Sequence, residues 1–318
     1  MSYAQFGTIQ ASDYNTLVGT NPNTSSGTLN TVWSTGGTAA GYGQTAEGTV
    51  AVGDTVTAAK WANLITKTAN TASHQGSSIT AVTAPASGNT ITYNANISTN
   101  LTTIYTSRLN AASQGSTTAN SVVYGSTWTT ALTFTHTVTF ANGDAARYFF
   151  NSGGQLKVTC SHANSTAGIN LLFNGLASNV GTVVMSAPTS GTATISGTAY
   201  TGIYKIGSGG NAPTILPNNG YYALTTSNAN VFTQTASTGP GAYLATFIRV
   251  IAKSNGTVGS NGDVGNVVTL YTVWDEVPDG GLVVGTGSTV TVTAQAPETT
   301  NLANTWGTIS VAGSATGS

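Results

Sequence analysis

The side chains that could act as general acids, general bases or metal ligands are few and widely separated in this sequence. Its three histidines are His74, His136 and His162. Cys160 and His162 are separated by one residue, so on a strand they would present two metal ligands on one face. No second pair with the spacing of a structural zinc site is present, so we predict no metal site within one chain. A three-fold assembly could still gather one histidine from each copy on its axis.

The nine acidic residues do not form a recognisable catalytic pair. Asp275 and Glu276 are adjacent, so on a strand their carboxylates would point to opposite faces, whereas the acids of a glycosidase converge to roughly 5–10 Å. Others stand in turn sequences such as Asn142-Gly143-Asp144. No Gly-x-Ser-x-Gly elbow lies between a strand and a helix, and no phosphate loop ends in Gly-Lys-Ser/Thr. We therefore predict that the chain is not an enzyme and binds no cofactor.

Aromatic side chains that could stack on a ligand stand together at one turn. Tyr221 and Tyr222 follow Pro217-Asn218-Asn219-Gly220, a sequence typical of turns. We predict that these two tyrosines are exposed and are the candidate ligand contacts of the chain. The tryptophans that fall within helix or strand patterns are interpreted as core residues: Trp61, Trp128 and Trp274.

The composition favours a component of a large assembly. Charged residues make up 5% of the 318 residues, whereas ordinary soluble domains carry about 25%. The polar surface must therefore consist of Thr, Ser, Asn and Gly, and such surfaces repel copies of themselves only weakly. The cations are scattered and the net charge is −1, so we expect no binding to nucleic acid or to a membrane surface. We also expect no membrane insertion and no secretory signal.

The first third of the chain has the periodicity of short amphipathic helices. Residues 9–18 match residues 56–65, and both place an aromatic residue, a leucine and a β-branched residue on one helical face. Ser12 and Thr57 are the expected N-caps. A third helix is predicted over about 95–110. The lone cysteine, Cys160, excludes an intrachain disulfide and reads as a small buried residue on a strand.

From about residue 119 the hydrophobic period changes to two. Apolar residues and His136 alternate with threonine from Leu132 to Phe140, as in a half-buried antiparallel strand. Residues 147–150 and 155–158, separated by Asn-Ser-Gly-Gly, read as a hairpin. Further strands are predicted at 181–186, 192–196, 201–206, 221–226, 243–253, 266–275 and 288–295.

Together these patterns predict a mainly β fold: an antiparallel, jelly-roll-like β-sandwich preceded by a region of short α-helices. The predicted boundary separates an N-terminal region for attachment and assembly, residues 1–118, from a sandwich domain, residues 119–318. We expect removal of residues 1–75 to leave the rest of the chain folded.

Several blocks of the sequence resemble a family of virion structural proteins of contractile-tailed phages, especially cyanophages. They are Gly41-Tyr42-Gly43-Gln44, the segment from Val50 to Leu64, His74-Gln75-Gly76, the segment Leu132 to Phe140 with Arg147 to Gln155, and, more loosely, Ala296 to Trp306. The resemblance covers most of the chain and is weak over about 160–265. It implies a virion location after synthesis in the host cytoplasm, and it carries no catalytic residues.

The leading hypothesis is therefore a tail, tail-fibre or baseplate-associated protein that contacts other virion proteins. By analogy with fibre-like parts, a homotrimer is expected. One alternative is a capsid decoration or head-fibre protein. Another is a receptor adhesin for host attachment, which would bind a host surface glycan through loops such as 207–220 or 254–264.

Overall fold

The computed structural model describes residues 10–23, 25–86, 91, 95–216, 218–239, 241–278 and 281–318. Its α-helices are α1 Ala11–Val18, α2 Leu29–Val32, α3 Ala58–Gln75, α4 Ala95–Thr106, α5 Gly143–Asn151 and α6 Ile169–Val180. Its strands are β1 Gln114–Tyr124, β2 Ala131–Thr139, β3 Gln155–His162, β4 Thr182–Met185, β5 Ala193–Ile195, β6 Thr198–Tyr200, β7 Ile203–Ile206, β8 Thr214–Ile215, β9 Ala229–Thr235, β10 Phe247–Ser254, β11 Val267–Asp275, β12 Ser288–Pro297 and β13 Ser310–Gly317.

Two antiparallel sheets build the sandwich in the described part of the chain. One has the strand order β1-β12-β3-β4-β7, and the other has the order β13-β2-β11-β10-β9-β8. The chain changes sheet from β1 to β2, from β2 to β3 and from β11 to β12, which gives these strands their jelly-roll-like connections. By contrast, β9, β10 and β11 follow one another within one sheet. The predicted mainly β sandwich is confirmed.

The strand β2 shows how the sequence determines which face is buried. Its burial alternates without exception, with Leu132, Phe134, His136 and Val138 inside and the intervening residues half-buried. Every residue of β2 pairs with β11 in continuous register, from Ala131 opposite Asp275 onward. Because side chains alternate between faces along a strand, this register places the apolar set toward the second sheet.

The hairpin predicted at residues 147–158 is wrong, because residues 143–151 form α5. Ala145, Ala146, Phe149 and Phe150 are all buried at helical spacing, and Phe140 packs on both phenylalanines. This burial outweighs the strand preference of aromatic residues. Only the part after the turn, β3, is a strand.

Asn142 begins α5, and we expect Asn142→Ala to lower the free energy of unfolding by about 1 kcal/mol. The Asn142 side chain accepts a hydrogen bond from the backbone N–H of Ala145 at 2.8 Å, and alanine would leave that donor without its cap. Urea unfolding of the Asn142→Ala variant, compared with the wild type, measures the effect. Asn142→Ser keeps an acceptor and should stay close to the wild type; equal losses in both variants would contradict a capping role.

The helices α1 to α4 share a hydrophobic core of their own. Its fully buried members include Tyr14, Trp61, Leu64 and Leu101. All three predicted helices are present, although α4 ends at Thr106, and Ile9 lies outside the described residues. Thr57 caps α3 as predicted, by accepting from the Lys60 backbone N–H at 3.3 Å.

Other expectations needed correction. Ser12 is not an N-cap: it lies inside α1, where Asp13 accepts from the backbone N–H of Gln10 at 3.0 Å. Residues 221–223 form a 3-10 turn and not a strand. The sequence patterns did not predict α6, β9 or β13, and β1 starts earlier than residue 119. None of the helices in the described ranges is long and apolar enough to cross a membrane.

Candidate functional surfaces

A buried arginine joins the N-terminal region to the sandwich. Arg147 of α5 has no exposed surface, and its Nη2 pairs with Asp144 Oδ1 at 2.8 Å. Its Nη1 donates to the backbone carbonyls of Thr35, Gly37 and Ala40 at 2.8, 3.1 and 2.6 Å. The guanidinium thus satisfies several carbonyls of one loop at once, which a lysine could not do with the same planar geometry.

A second buried junction contains residues of the blocks 41–44 and 74–76. Tyr42 donates to the Arg108 carbonyl at 2.9 Å and accepts from Gln75 Nε2 at 2.8 Å. The Gln44 side chain bonds both backbone groups of Ala303, at 2.8 and 3.0 Å. These polar groups are paired with one another and are buried, so they connect the helical region to the segment after β12.

His74 and Glu298 form the charged part of this second junction. Their Nδ1 and Oε1 atoms are 3.0 Å apart, and both side chains are buried. Burial lowers the pKa of His74, although Glu298 opposes the change. Burial also disfavours the charged form of Glu298, but hydrogen bonds from His74, Thr300 and Asn301 outweigh it and lower its pKa to about 2. An ionised carboxylate only accepts hydrogen bonds, so Nδ1 of a neutral His74 carries the proton.

These junctions define two different ends of the sandwich. The anchored end is where β2, β10 and β12 finish, at Thr139, Ser254 and Pro297, because both junctions lie beside it. The free end is the opposite one, where β1 and β11 finish at Tyr124 and Asp275. The antiparallel register aligns the strand ends within each sheet, and the approach of Gly317 to Tyr124 shows which ends of the two sheets lie together.

The loop 254–264, considered above as a glycan-binding loop, lies at the anchored end. Its Gly259 carbonyl accepts from the backbone N–H of Ala39 at 3.2 Å, and Ser260 Oγ is 2.9 Å from Thr38 Oγ1. The N-terminal region therefore contacts this loop directly. In the loop 207–220, residues 207–212 are exposed, and Pro217 lies outside the described residues.

The prediction that the two tyrosines are exposed is wrong for Tyr221. Its side chain has no exposed surface and stacks on Phe150 with ring centroids 4.1 Å apart. Tyr222 is half-buried, and its hydroxyl donates to Asn151 Oδ1. The turn is held inward because Gly220 packs on the backbone of residues 186–188, where a Cβ would lie 2.1 Å from the Pro188 carbonyl oxygen.

His136 and His162 are buried in the sandwich, and Cys160 is half-buried against its core. His162 lies 3.1 Å from Ser288 Oγ and 3.2 Å from Asn170 Oδ1. His136 is fully buried, and burial lowers the pKa of both histidines. Burial raises the pKa of the Cys160 thiol to about 12, so it is a poor nucleophile at neutral pH. The described residues contain no cluster of three or more His, Cys, Asp or Glu side chains that could hold a metal ion.

The free end carries exposed apolar side chains that the sequence patterns did not single out. Leu171, Leu244 and Val283 are 54%, 43% and 58% exposed. They lie on α6 and on the loops after β9 and β11, and Tyr243 and Gly281 bring these two loops together. Scattered exposed apolar residues are ordinary, but several at one end form a candidate contact surface.

The acidic neighbours Asp275 and Glu276 lie where β11 reaches the free end. Asp275 is half-buried on the outer face, whereas Glu276 is buried and accepts from the Leu282 backbone N–H at 3.1 Å. The two side chains are therefore on different sides of the sheet, as their spacing predicted. Comparisons of the chain with protein-family models, curated proteins and solved structures found no match.

Proposed function

We propose that this chain is a structural component of a phage virion, in the tail, a tail fibre or the baseplate. The observation that carries the proposal is the residue-level resemblance to virion proteins of contractile-tailed phages. Tyr42, Gln44 and His74, which belong to the resembling blocks, are buried in one junction. The resemblance therefore involves the architecture of the chain and not a reaction centre.

Two properties of the chain support an architectural role. Its 5% content of charged residues suits a permanent assembly with close neighbours. Its two ends also differ: the helical region contacts the anchored end, and the free end exposes Leu171, Leu244 and Val283. In this proposal the helical region attaches to other virion proteins, and the free end is turned outward.

Contact with the host surface is a second role for the same protein, favoured by the exposed apolar side chains of the free end. A glycan partner would have to bind there or at residues 207–212, because Tyr221 is buried and the loop 254–264 contacts the N-terminal region.

Immuno-electron microscopy of particles made from the genome that encodes this chain tests the virion proposal. Antibodies raised against the full-length protein should label the tail, its fibres or the baseplate. Labelling confined to the head would replace the tail assignment with capsid decoration. Absence of the chain from purified particles by mass spectrometry would overturn the proposal as a whole.

A further inference from the structure

One side of the sandwich ends in two strands that each pair with a neighbour on one side only. These are β1, at the end of the five-stranded sheet, and β13, at the end of the six-stranded sheet. They are adjacent: a Cβ at Gly313 would lie 2.7 Å from Asn120 Oδ1, and one at Gly317 would lie 2.6 Å from the Tyr124 hydroxyl. The glycines of β13 thus let the two edges approach closely.

The strand β1 is long and exposed. It has 11 residues, which corresponds to about 37 Å of extended backbone. Residues 115–119 are exposed, and Val123 is 62% exposed. Among the described residues β1 pairs with β12 alone, so the main-chain N–H and C=O groups along its other side are open to another strand.

This edge has few of the features that normally prevent strand pairing. Neither Gln114–Tyr124 nor Ser310–Gly317 contains a charged residue or a proline, and these are the residues that commonly block an exposed edge. The only irregularity is a register shift near the start of β1, between Gln114 and Thr117. Beyond it, the remaining residues of β1 keep regular pairing.

The opposite side of the same sandwich is protected. Its edge strands β7 and β8 have only four and two residues, and short edges pair poorly. Lys205 on β7 also crosses to the other sheet, where its Nζ donates to Gln234 Oε1 at 2.8 Å. The contrast between the two sides argues that the open side is built for a partner.

We propose that the β1 edge pairs with the β1 edge of a second copy of this chain, in antiparallel orientation about a two-fold axis. In such a pair only the residue on the two-fold axis faces its own copy, and residues equally distant from the axis on either side face one another. We place the axis at Ala119, the middle residue of β1, so a charge at this position would face its own copy. The strand β1 has no charged residue, and most of its residues are β-branched or small. Antiparallel pairing would also extend the existing antiparallel sheet across the interface. This dimer replaces the trimer expected by analogy, and it does not rest on the virion location.

Light scattering coupled to size exclusion on the full-length protein tests this dimer. The wild type is expected at twice the 31.9 kDa chain mass. Ala119→Lys places a charge at the middle of β1, at an exposed position, and should weaken association at least tenfold. Ser161→Lys adds the same charge at an exposed position of the paired strand β3 and should leave the dimer intact.

Mixing two variants of opposite charge distinguishes a loss of strand pairing from a loss of folding. Ala119→Lys and Ala119→Glu should each be monomeric, and mixing them in equal amounts should restore a species of two chains, because opposite charges then face each other. A wild-type monomer or trimer would overturn the proposal. So would an Ala119→Lys variant that remains dimeric, or a mixture that stays monomeric although both variants unfold at the wild-type temperature.

Discussion

Replacing Arg147 with methionine is expected to lower the free energy of unfolding by about 3–5 kcal/mol. Methionine fills similar space but leaves the carbonyls of Thr35, Gly37 and Ala40 without their donor, together with the partly buried carboxylate of Asp144. Unsatisfied buried polar groups carry a penalty that packing cannot offset. Urea unfolding followed by tryptophan fluorescence measures the loss.

Arg249→Met is the matched control. Arg249 lies on the outer face of β10, where its guanidinium rests on the Phe247 ring at 4.2 Å and holds no loop carbonyls. Its replacement should change stability by about 1 kcal/mol or less. Similar losses in the two variants would mean that the Arg147 network contributes nothing beyond packing. Because residues 35–40 supply three of its partners, we now expect removal of residues 1–75 to destabilise the sandwich as well.

The second large effect is a loss of stability in acid at the His74–Glu298 junction. Glu298 has a pKa of about 2 in the folded protein and an ordinary value of 4.5. The unfolded chain therefore takes up its proton first as the pH falls. Stability from this group is complete above pH 4.5 and is lost between pH 4.5 and 2, to a total of about 3 kcal/mol.

His74 also makes the protein less stable as the pH falls, but it does so at higher pH than Glu298. Burial lowers its pKa in the folded protein, so the unfolded chain binds the proton first below pH 6.5, and stability falls as the pH decreases. His136 and His162 act in the same direction, because burial lowers their pKa values as well. The free energy of unfolding should thus decline from pH 7 downward, and more steeply below pH 4.5.

Urea midpoints measured from pH 7 to pH 3 test the assignment to Glu298. Glu298→Gln should be less stable at pH 7 and should lack most of the steep decline below pH 4.5. Asp54→Asn makes the same chemical change at an exposed position and should keep the wild-type profile. Parallel profiles for the wild type and Glu298→Gln would show that another group causes the acid sensitivity.

The sequence predicted those elements whose side chains signal them locally. Strict alternation of threonine with apolar residues identified β2, and the repeated aromatic-to-leucine spacing identified α1 and α3. The helix α5 was missed because Tyr148, Phe149 and Phe150 favour strands, and its stability depends on tertiary burial. The strand β13 was missed because its Gly, Ala and Ser residues carry almost no hydrophobic pattern.

The buried junctions could not be predicted from local sequence patterns, because their partners are far apart in the sequence. His74 and Glu298 are 224 residues apart, and no periodicity connects them. The resemblance did single out residues 41–44 and 74–76, but it did not indicate which distant residues they contact. Tyr221 was misjudged because a Gly-containing turn is usually exposed, whereas this turn packs against the sandwich.

Burial of ion pairs inside the protein affects how fast the chain can associate with a partner. The opposite charges of Arg147 and Asp144, and those of Lys67 and Glu47, cancel within partly or fully buried ion pairs. The electrostatic field around this weakly charged molecule is therefore weaker still. Encounters with a partner then lack long-range attraction, and association rates of about 10⁵–10⁶ M⁻¹s⁻¹ are typical of that regime. Such rates change little with ionic strength. The rate of self-assembly would thus depend on the local protein concentration, and it would be nearly the same at low and at high ionic strength.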